Sequence, residues 1–212
     1  FLEEVRNYVQ GGMIPRFSPF FIPKMIADIA PGHISIKYGF RGPNYGTVAA
    51  CASATNAMAD AFNLIRLGKA DLFIVGGSEA GVNEAGVGGF NALQALSTRN
   101  DDPQTASRPF DKNRDGFVIG EGGAAFILEE YEHAKARGAK IYCEMVGAGM
   151  TGDAYHLTAP HPEGLGARNV MLSALRDNQI KPEEVDYVNV HGTSTPLGDV
   201  AELKAIEAVF RE

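Results

Sequence analysis

Cysteine is nearly absent: Cys51 and Cys143 are the only two in 212 residues. At that density a disulfide framework is not expected in a chain of this size, and a reducing compartment, the cytoplasm, is the default. Basic residues are also scarce. Nineteen Lys and Arg face 26 Asp and Glu, a formal net charge of −7. A general nucleic-acid or anionic-membrane role, either of which wants a basic surface, is therefore not expected. No apolar run reaches the ~18 residues of a membrane span. No basic leader with an apolar stretch behind it is visible, hence no signal peptide. The chain opens on Phe1 rather than Met, which points to a natural start upstream. It shows no internal repeat, low-complexity tract or linker. What is present is a soluble globular composition, 45% hydrophobic and 21% charged, enough for a sizeable core.

The pattern of elements is mixed. Residues 1–12 read as a helix closing at Gly11-Gly12, and 13–24 as an extended apolar segment with three prolines and three phenylalanines. Residues 25–38 have helical spacing with a break expected at Pro31-Gly32. Tyr45–Ala50 and Asp71–Val75 are short apolar runs of strand length around a helix, Ser53–Leu67, that stops at Gly68. Together they read as a parallel strand–helix–strand unit closed by Gly76-Gly77. Residues 123–128, 141–146 and 185–190 read as further strands, and 129–137, 167–178 and 199–210 as helices. Strands alternating with helices imply an α/β layered fold.

Cys51 stands where a strand hands over to a helix. Backbone N–H groups and the positive end of a helix dipole converge there and favour a thiolate. Small neighbours, Ala49, Ala50, Ala52, Ser53 and Ala54, leave room for a substrate. The alternative is a buried structural cysteine, the commoner fate of a lone Cys. Cys143, mid-strand, reads as core. His191 follows an apolar strand and opens HGTSTP, a strand-end loop rich in hydroxyls, and sites in open α/β sheets form at such ends. A satisfied loop histidine is the competing reading.

Three other patterns are weaker. DKNRDGFVIGEG begins like a calcium loop, but its twelfth position is Gly122 instead of the required acid, so it reads as a tight polar turn. Gly147, Gly149 and Gly152 have dinucleotide-loop spacing, but Pro160 and Pro162 follow where a helix would have to open. The GVGGF run at 86–90 is too generic for a phosphate loop. His33, His133, His156 and His161 lack metal-ligand spacing, and no metal site is expected.

Taken together, RGPNYGTVAACASATNA, GGSEA, ALSTRNDDPQTASRPFDKNRDGFVIGEGG, GDAYHLTAPHPEG and VNVHGTSTPLGDVAE resemble the condensing enzymes of the thiolase superfamily, the 3-oxoacyl-acyl-carrier-protein synthases. The resemblance implies a thiolase-like layered α/β/α/β/α fold, incomplete here. Residues 1–140 would be the remainder of the first half, with the nucleophile. Residues 141–212 would begin the second half, with an active-site histidine. It implies decarboxylative Claisen condensation of an acyl-Cys51 enzyme with malonyl-carrier protein in fatty-acid elongation. His191 then resembles one of two histidines that polarise the malonyl thioester. Thr193 and Thr195 match residues that hydrogen-bond the phosphopantetheine arm, and Glu202 matches an acid supporting a lysine of the site. Asp153 and His156 lie on a loop at the substrate tunnel mouth, and Phe20 and Phe21 on a segment reaching a partner subunit's acyl pocket. Arg16, Lys24, Arg41 and Arg66 are candidates for carrier-protein contact. No cofactor is implied, since the phosphopantetheine is carried by the acyl carrier protein; that protein and a second copy in a homodimer are the expected partners.

The family's chains are roughly twice this long. The opening βα segment, a second histidine with its lysine, and a gating Gly/Phe segment have no counterpart here, so the 212 residues alone are expected to be inactive. Gln94 stands where related sequences often carry an arginine. Alternatives are a non-catalytic chain-length-factor-like subunit, disfavoured by the presence of Cys51, a polyketide-type ketosynthase of the same fold, and a thiolase or cysteine hydrolase, disfavoured by HGTSTP.

Overall fold

The structure, a computed structural model, describes residues 2–211. Its elements run α1 (Leu2–Gln10), α2 (Ile29–Tyr38), α3 (Ser53–Arg66), β1 (Leu72–Ala80), α4 (Glu84–Ala92), β2 (Glu121–Glu129), α5 (Tyr131–Ala136), α6 (Leu165–Asp177) and α7 (Pro196–Phe210). Short 3₁₀ turns lie at Pro103–Thr105 and Pro182–Glu184. Among the described residues no helix is long and apolar enough to cross a membrane.

The helices follow local chemistry. α3 is rich in alanine, buries Ala59 and Ala61, and ends before Gly68, which takes φ +65°. Pro31 does not break α2. The helix starts only at Ile29, so the proline falls in the first turn, where its missing N–H would be unpaired anyway. α4 carries three glycines in nine residues and is held by Asn83, whose side chain accepts from the Gly86 amide. The glycines hid this helix from the sequence reading.

The sheet differs from the expected parallel unit. β1 pairs antiparallel with β2, from Leu72 opposite Glu129 to Ala80 opposite Glu121. β1 also runs on through Gly76-Gly77 instead of closing there. A Cβ on Gly77 would lie 2.8 Å from the Ala54 Cβ of α3, so the glycine is where the central helix approaches the strand most closely. Residues 45–50 form no ladder with β1. A cavity of about 650 Å³, lined by Pro43–Thr47 on one side and Leu72–Ser78 on the other, separates them. Residues 141–146 and 185–190 are likewise outside any strand. A strand needs a hydrogen-bonded neighbour, and these apolar runs have none among the described residues.

In the second half α6 packs on α7, which buries Asp199, Ala201, Ala205 and Val209. Gly147 and Gly149 lie against α6. Cβ atoms there would meet the Ala174 and Val170 carbonyl oxygens at 2.5 and 2.4 Å. Their spacing thus serves close helix packing. Much of the molecule lies open: it presents 15408 Å² to solvent, against about 9,500 Å² for a compact monomer of this length. Phe20, Val48, Phe126, Tyr142, Leu157 and Tyr187 are among many large apolar side chains left exposed.

Candidate functional site

Cys51 sits at the tip of a sharp turn into α3. Ala50 before it adopts φ +46°, a conformation costly for a residue with a Cβ. Local hydrogen bonds hold the turn. Ser53 Oγ donates to the Ala50 carbonyl at 2.7 Å and accepts from the Ala49 amide at 2.9 Å. Thr47 Oγ1 donates to the Ser53 carbonyl at 2.7 Å. The thiol is exposed, one residue before the helix N-cap Ala52. The elbow leaves the thiol open to solvent, with the positive end of a helix dipole behind it. Cys143, expected in the core, is exposed as well, because the 141–146 run that carries it has no paired neighbour among the described residues.

His191 occupies a second centre. A cavity of about 190 Å³ is lined by Asp153, Pro160, Gly164, Ala167, His191, Thr193, Gly198, Ala201 and Glu202. Four residues singled out from the sequence therefore meet in one place. Glu202, on α7, reaches back to the loop: its two carboxylate oxygens accept from the His191 amide at 2.6 Å and the Gly192 amide at 2.8 Å. Such charge-assisted bonds are strong and directional. Here Glu202 fixes the backbone beneath the imidazole. The hydroxyls of Thr193 and Thr195 lie 3.0 Å apart, and Thr195 caps α7 with Pro196 at its first position. Asp153 is committed to backbone: it accepts from the His161 amide at 2.9 Å and the Gly166 amide at 3.0 Å, the latter in the first turn of α6.

The residues that pin this loop from the other half were missed by sequence reasoning. Ser194, φ +65°, is fully buried; its Oγ accepts from the Arg108 amide at 3.1 Å and its carbonyl from the Gly116 amide at 3.0 Å. Asp199, 1% exposed, accepts from the Phe110 amide at 2.7 Å and pairs with Arg114 Nε at 3.1 Å. Arg114 also donates to the carbonyls of Thr195 and Pro196 at 3.0 and 2.7 Å. Arg108 and Asp115 brace the far side, 2.9 Å apart. The Ser97 hydroxyl and Thr98 amide hold the Asp115 carboxyl below the usual carboxylate range. This is the DKNRDG turn that resembled a calcium loop. Its charge density was the available signal, and its burial against HGTSTP was not visible in one dimension.

The remaining candidates are more scattered. His156 is exposed, and its Nδ1 accepts from the Thr158 and Ala159 amides at 3.2 and 3.1 Å. Phe20 is exposed, and Phe21 stacks on Phe17 with centroids 5.1 Å apart. Arg16, Lys24 and Arg41 lie on the surface. Arg66 is engaged by Asp177 at 2.8 Å, an ion pair that links α3 to α6. Among the described residues no cluster of three or more His, Cys, Asp or Glu side chains is arranged to hold a metal ion.

Residues 4–134 match the family model "Beta-ketoacyl synthase, N-terminal domain" and residues 142–212 match "Beta-ketoacyl synthase, C-terminal domain". The chain is 54% identical over 198 residues to a mitochondrial 3-oxoacyl-[acyl-carrier-protein] synthase of Arabidopsis thaliana, covering 93% of this chain and 43% of that one. It is 53% identical to 3-oxoacyl-[acyl-carrier-protein] synthase 2 of Staphylococcus aureus, covering 93% and 49%. A solved complex of a type II PKS acyl-carrier protein with its ketosynthase, bound to the hexaketide, superposes with a TM-score of 0.92 at 36% identity, over all of this chain and 53% of that one. The chain spans about half the length of the curated relatives it matches, and its α/β architecture is the thiolase-like one those ketosynthases share.

Proposed function

The chain belongs to the beta-ketoacyl synthase family, and from that membership we propose that the protein carrying it condenses an acyl-Cys51 enzyme with malonyl-acyl-carrier protein, releasing carbon dioxide and 3-oxoacyl-carrier protein. The observation that carries the reading is Cys51, exposed on the Ala50 elbow at the N-terminus of α3. A thiolate there takes the acyl group from its carrier thioester, and the carrier thiol leaves. Loss of carbon dioxide from the malonyl group then builds negative charge on the thioester oxygen, which the His191 imidazole stabilises. The resulting carbanion attacks the acyl carbonyl and Cys51 is released. Thr193 and Thr195 offer hydroxyls to the pantetheine arm, with Asp153 and His156 shaping the loop beside it. Glu202 holds the amides under His191.

The halves 1–140 and 141–212 then supply one centre each. No cofactor enters these steps. The exposed apolar side chains of α1 and residues 13–26, Phe20 among them, suit a second copy in a homodimer, with Phe21 half-buried against Phe17 beside them. Arg16, Lys24 and Arg41 offer positive charge to an acidic carrier protein; Arg66, tied to Asp177, offers less. The cytoplasm or an equivalent reducing compartment is the expected location. The 212 residues alone, with so much apolar surface uncovered, are expected to be inactive. A polyketide-type ketosynthase uses the same chemistry, and the superposed complex favours it as a second reading. The higher identity to fatty-acid-type relatives favours the first. The test is an assay of the full natural protein with acyl- and malonyl-carrier proteins. Product 3-oxoacyl-carrier protein and carbon dioxide are expected from wild type and neither from Cys51→Ala; product from Cys51→Ala would refute the assignment.

A further inference from the structure

We infer that Arg114 is a positioning residue for His191, acting from the 106–116 turn through the carbonyls of Thr195 and Pro196 and an ion pair with the buried Asp199. The inference rests on the condensing-enzyme reading only for the step in which His191 takes part. The geometry is independent of it. Arg114 Nε faces both the Thr195 carbonyl at 3.0 Å and Asp199 Oδ2 at 3.1 Å. Its other two nitrogens donate to Pro196 at 2.7 Å and back to the Asp111 carbonyl at 2.9 Å. The side chain is 12% exposed and its partner 1%.

A buried charge pair is weak evidence for stability, since an apolar pair of similar volume often serves as well. What this pair supplies is direction. A planar guanidinium with fixed donors can hold three acceptors at set angles, and a lysine ammonium on a flexible stem cannot. Direction matters because Ser194, between His191 and Asp199, sits at φ +65°, where residues with a Cβ rarely stay unless held. It is held on one side by the Arg108 and Gly116 amides and, through the next two carbonyls, by Arg114. Freed from Arg114, Ser194 can return to an ordinary conformation, and the turn that presents His191 and Thr193 moves with it. Glu202 grips only the other end of that turn.

The test uses the full natural protein with Arg114→Lys, and with the paired change Arg114→Met and Asp199→Leu, which removes both charges together. Three quantities are read: acyl transfer to Cys51, carbon dioxide release from malonyl-carrier protein, and hydrogen exchange of the 192–195 amides. Acyl transfer should stay within about threefold of wild type. Carbon dioxide release should fall on the order of 100-fold, as expected for a misplacement of about 1 Å. Exchange at 192–195 should quicken while α3 amides keep their wild-type rates. Unchanged carbon dioxide release with unchanged exchange would overturn the inference. So would an equal fall in both half-reactions, which is what a merely structural residue produces. A wild-type protein that acylates Cys51 but releases no carbon dioxide would instead overturn the condensing reading, and the exchange measurement would then decide the positioning role by itself.

Discussion

Beside His191, Ser194 and Asp199 are 0% and 1% exposed, and eight hydrogen bonds and ion pairs from residues 108–116 and 202 converge on residues 191–199. Around Cys51 the picture is reversed. Cys51, Ala50 and Ala52 are exposed, Val48 is 84% exposed, and the turn is held by hydrogen bonds local in sequence, among them those joining residues 47–53. The histidine loop takes its shape from parts of the chain up to 89 positions away. The cysteine elbow takes its shape from its immediate neighbours. The difference teaches which substitutions should act locally. Damage to the elbow should touch acyl transfer, and damage to the loop should touch decarboxylation.

The sharpest way to break that division is His191→Gln. Carbon dioxide release from malonyl-carrier protein should fall by about 10²- to 10³-fold, while acylation of Cys51 stays near wild type. Equal loss of both would mean that the two centres are one unit. A smaller effect is expected from Ser53→Ala. The change removes the hydroxyl that donates to the Ala50 carbonyl and leaves the Ala49 amide unpaired, costing about 1–2 kcal/mol. Acyl transfer should slow by roughly tenfold, and carbon dioxide release should hold. Adding Ala50→Gly should recover part of the stability, because glycine takes φ +46° without a Cβ penalty. Chemical denaturation of the single and double variants measures it.

The smallest effect lies away from both centres. Arg137, with His133, holds the Glu129 carboxyl at about 2, against an ordinary 4.5. A carboxyl lowered in the folded state stabilises the fold fully above the unfolded value and loses that contribution as pH falls through the folded one. The stability difference between wild type and Glu129→Gln should therefore be constant above about pH 5 and shrink between pH 4.5 and 2. Acyl transfer by the variant at neutral pH should equal wild type. Urea unfolding midpoints across that range supply the measurement, and a difference independent of pH would remove the ion pair from the account.

Where structure was legible in the sequence, the controlling forces were local. α3, α6 and α7 follow from side-chain periodicity and their end signals, and the Cys51 turn from small residues beside a helix start. Residues 45–50, 141–146 and 185–190 carry strand composition but make no ladder, because pairing depends on a neighbour and composition does not report one. The meeting of Asp153, His191, Thr193 and Glu202 rested on the family resemblance rather than on spacing. The clamp from Arg108, Arg114 and Asp115 was missed for a related reason. A run of charges reads as a solvated turn until the fold shows that Arg114 points inward at Asp199.

The central claim is that Cys51 accepts the acyl group, and the two cysteines make the contest a fair one, since both thiols are exposed in this structure. The full natural protein should be incubated with an acyl-carrier protein, digested, and the thioester located by mass spectrometry. The account predicts the acyl mass on the peptide containing Cys51, with Cys143 unmodified. Acyl mass on Cys143 with Cys51 free would contradict it.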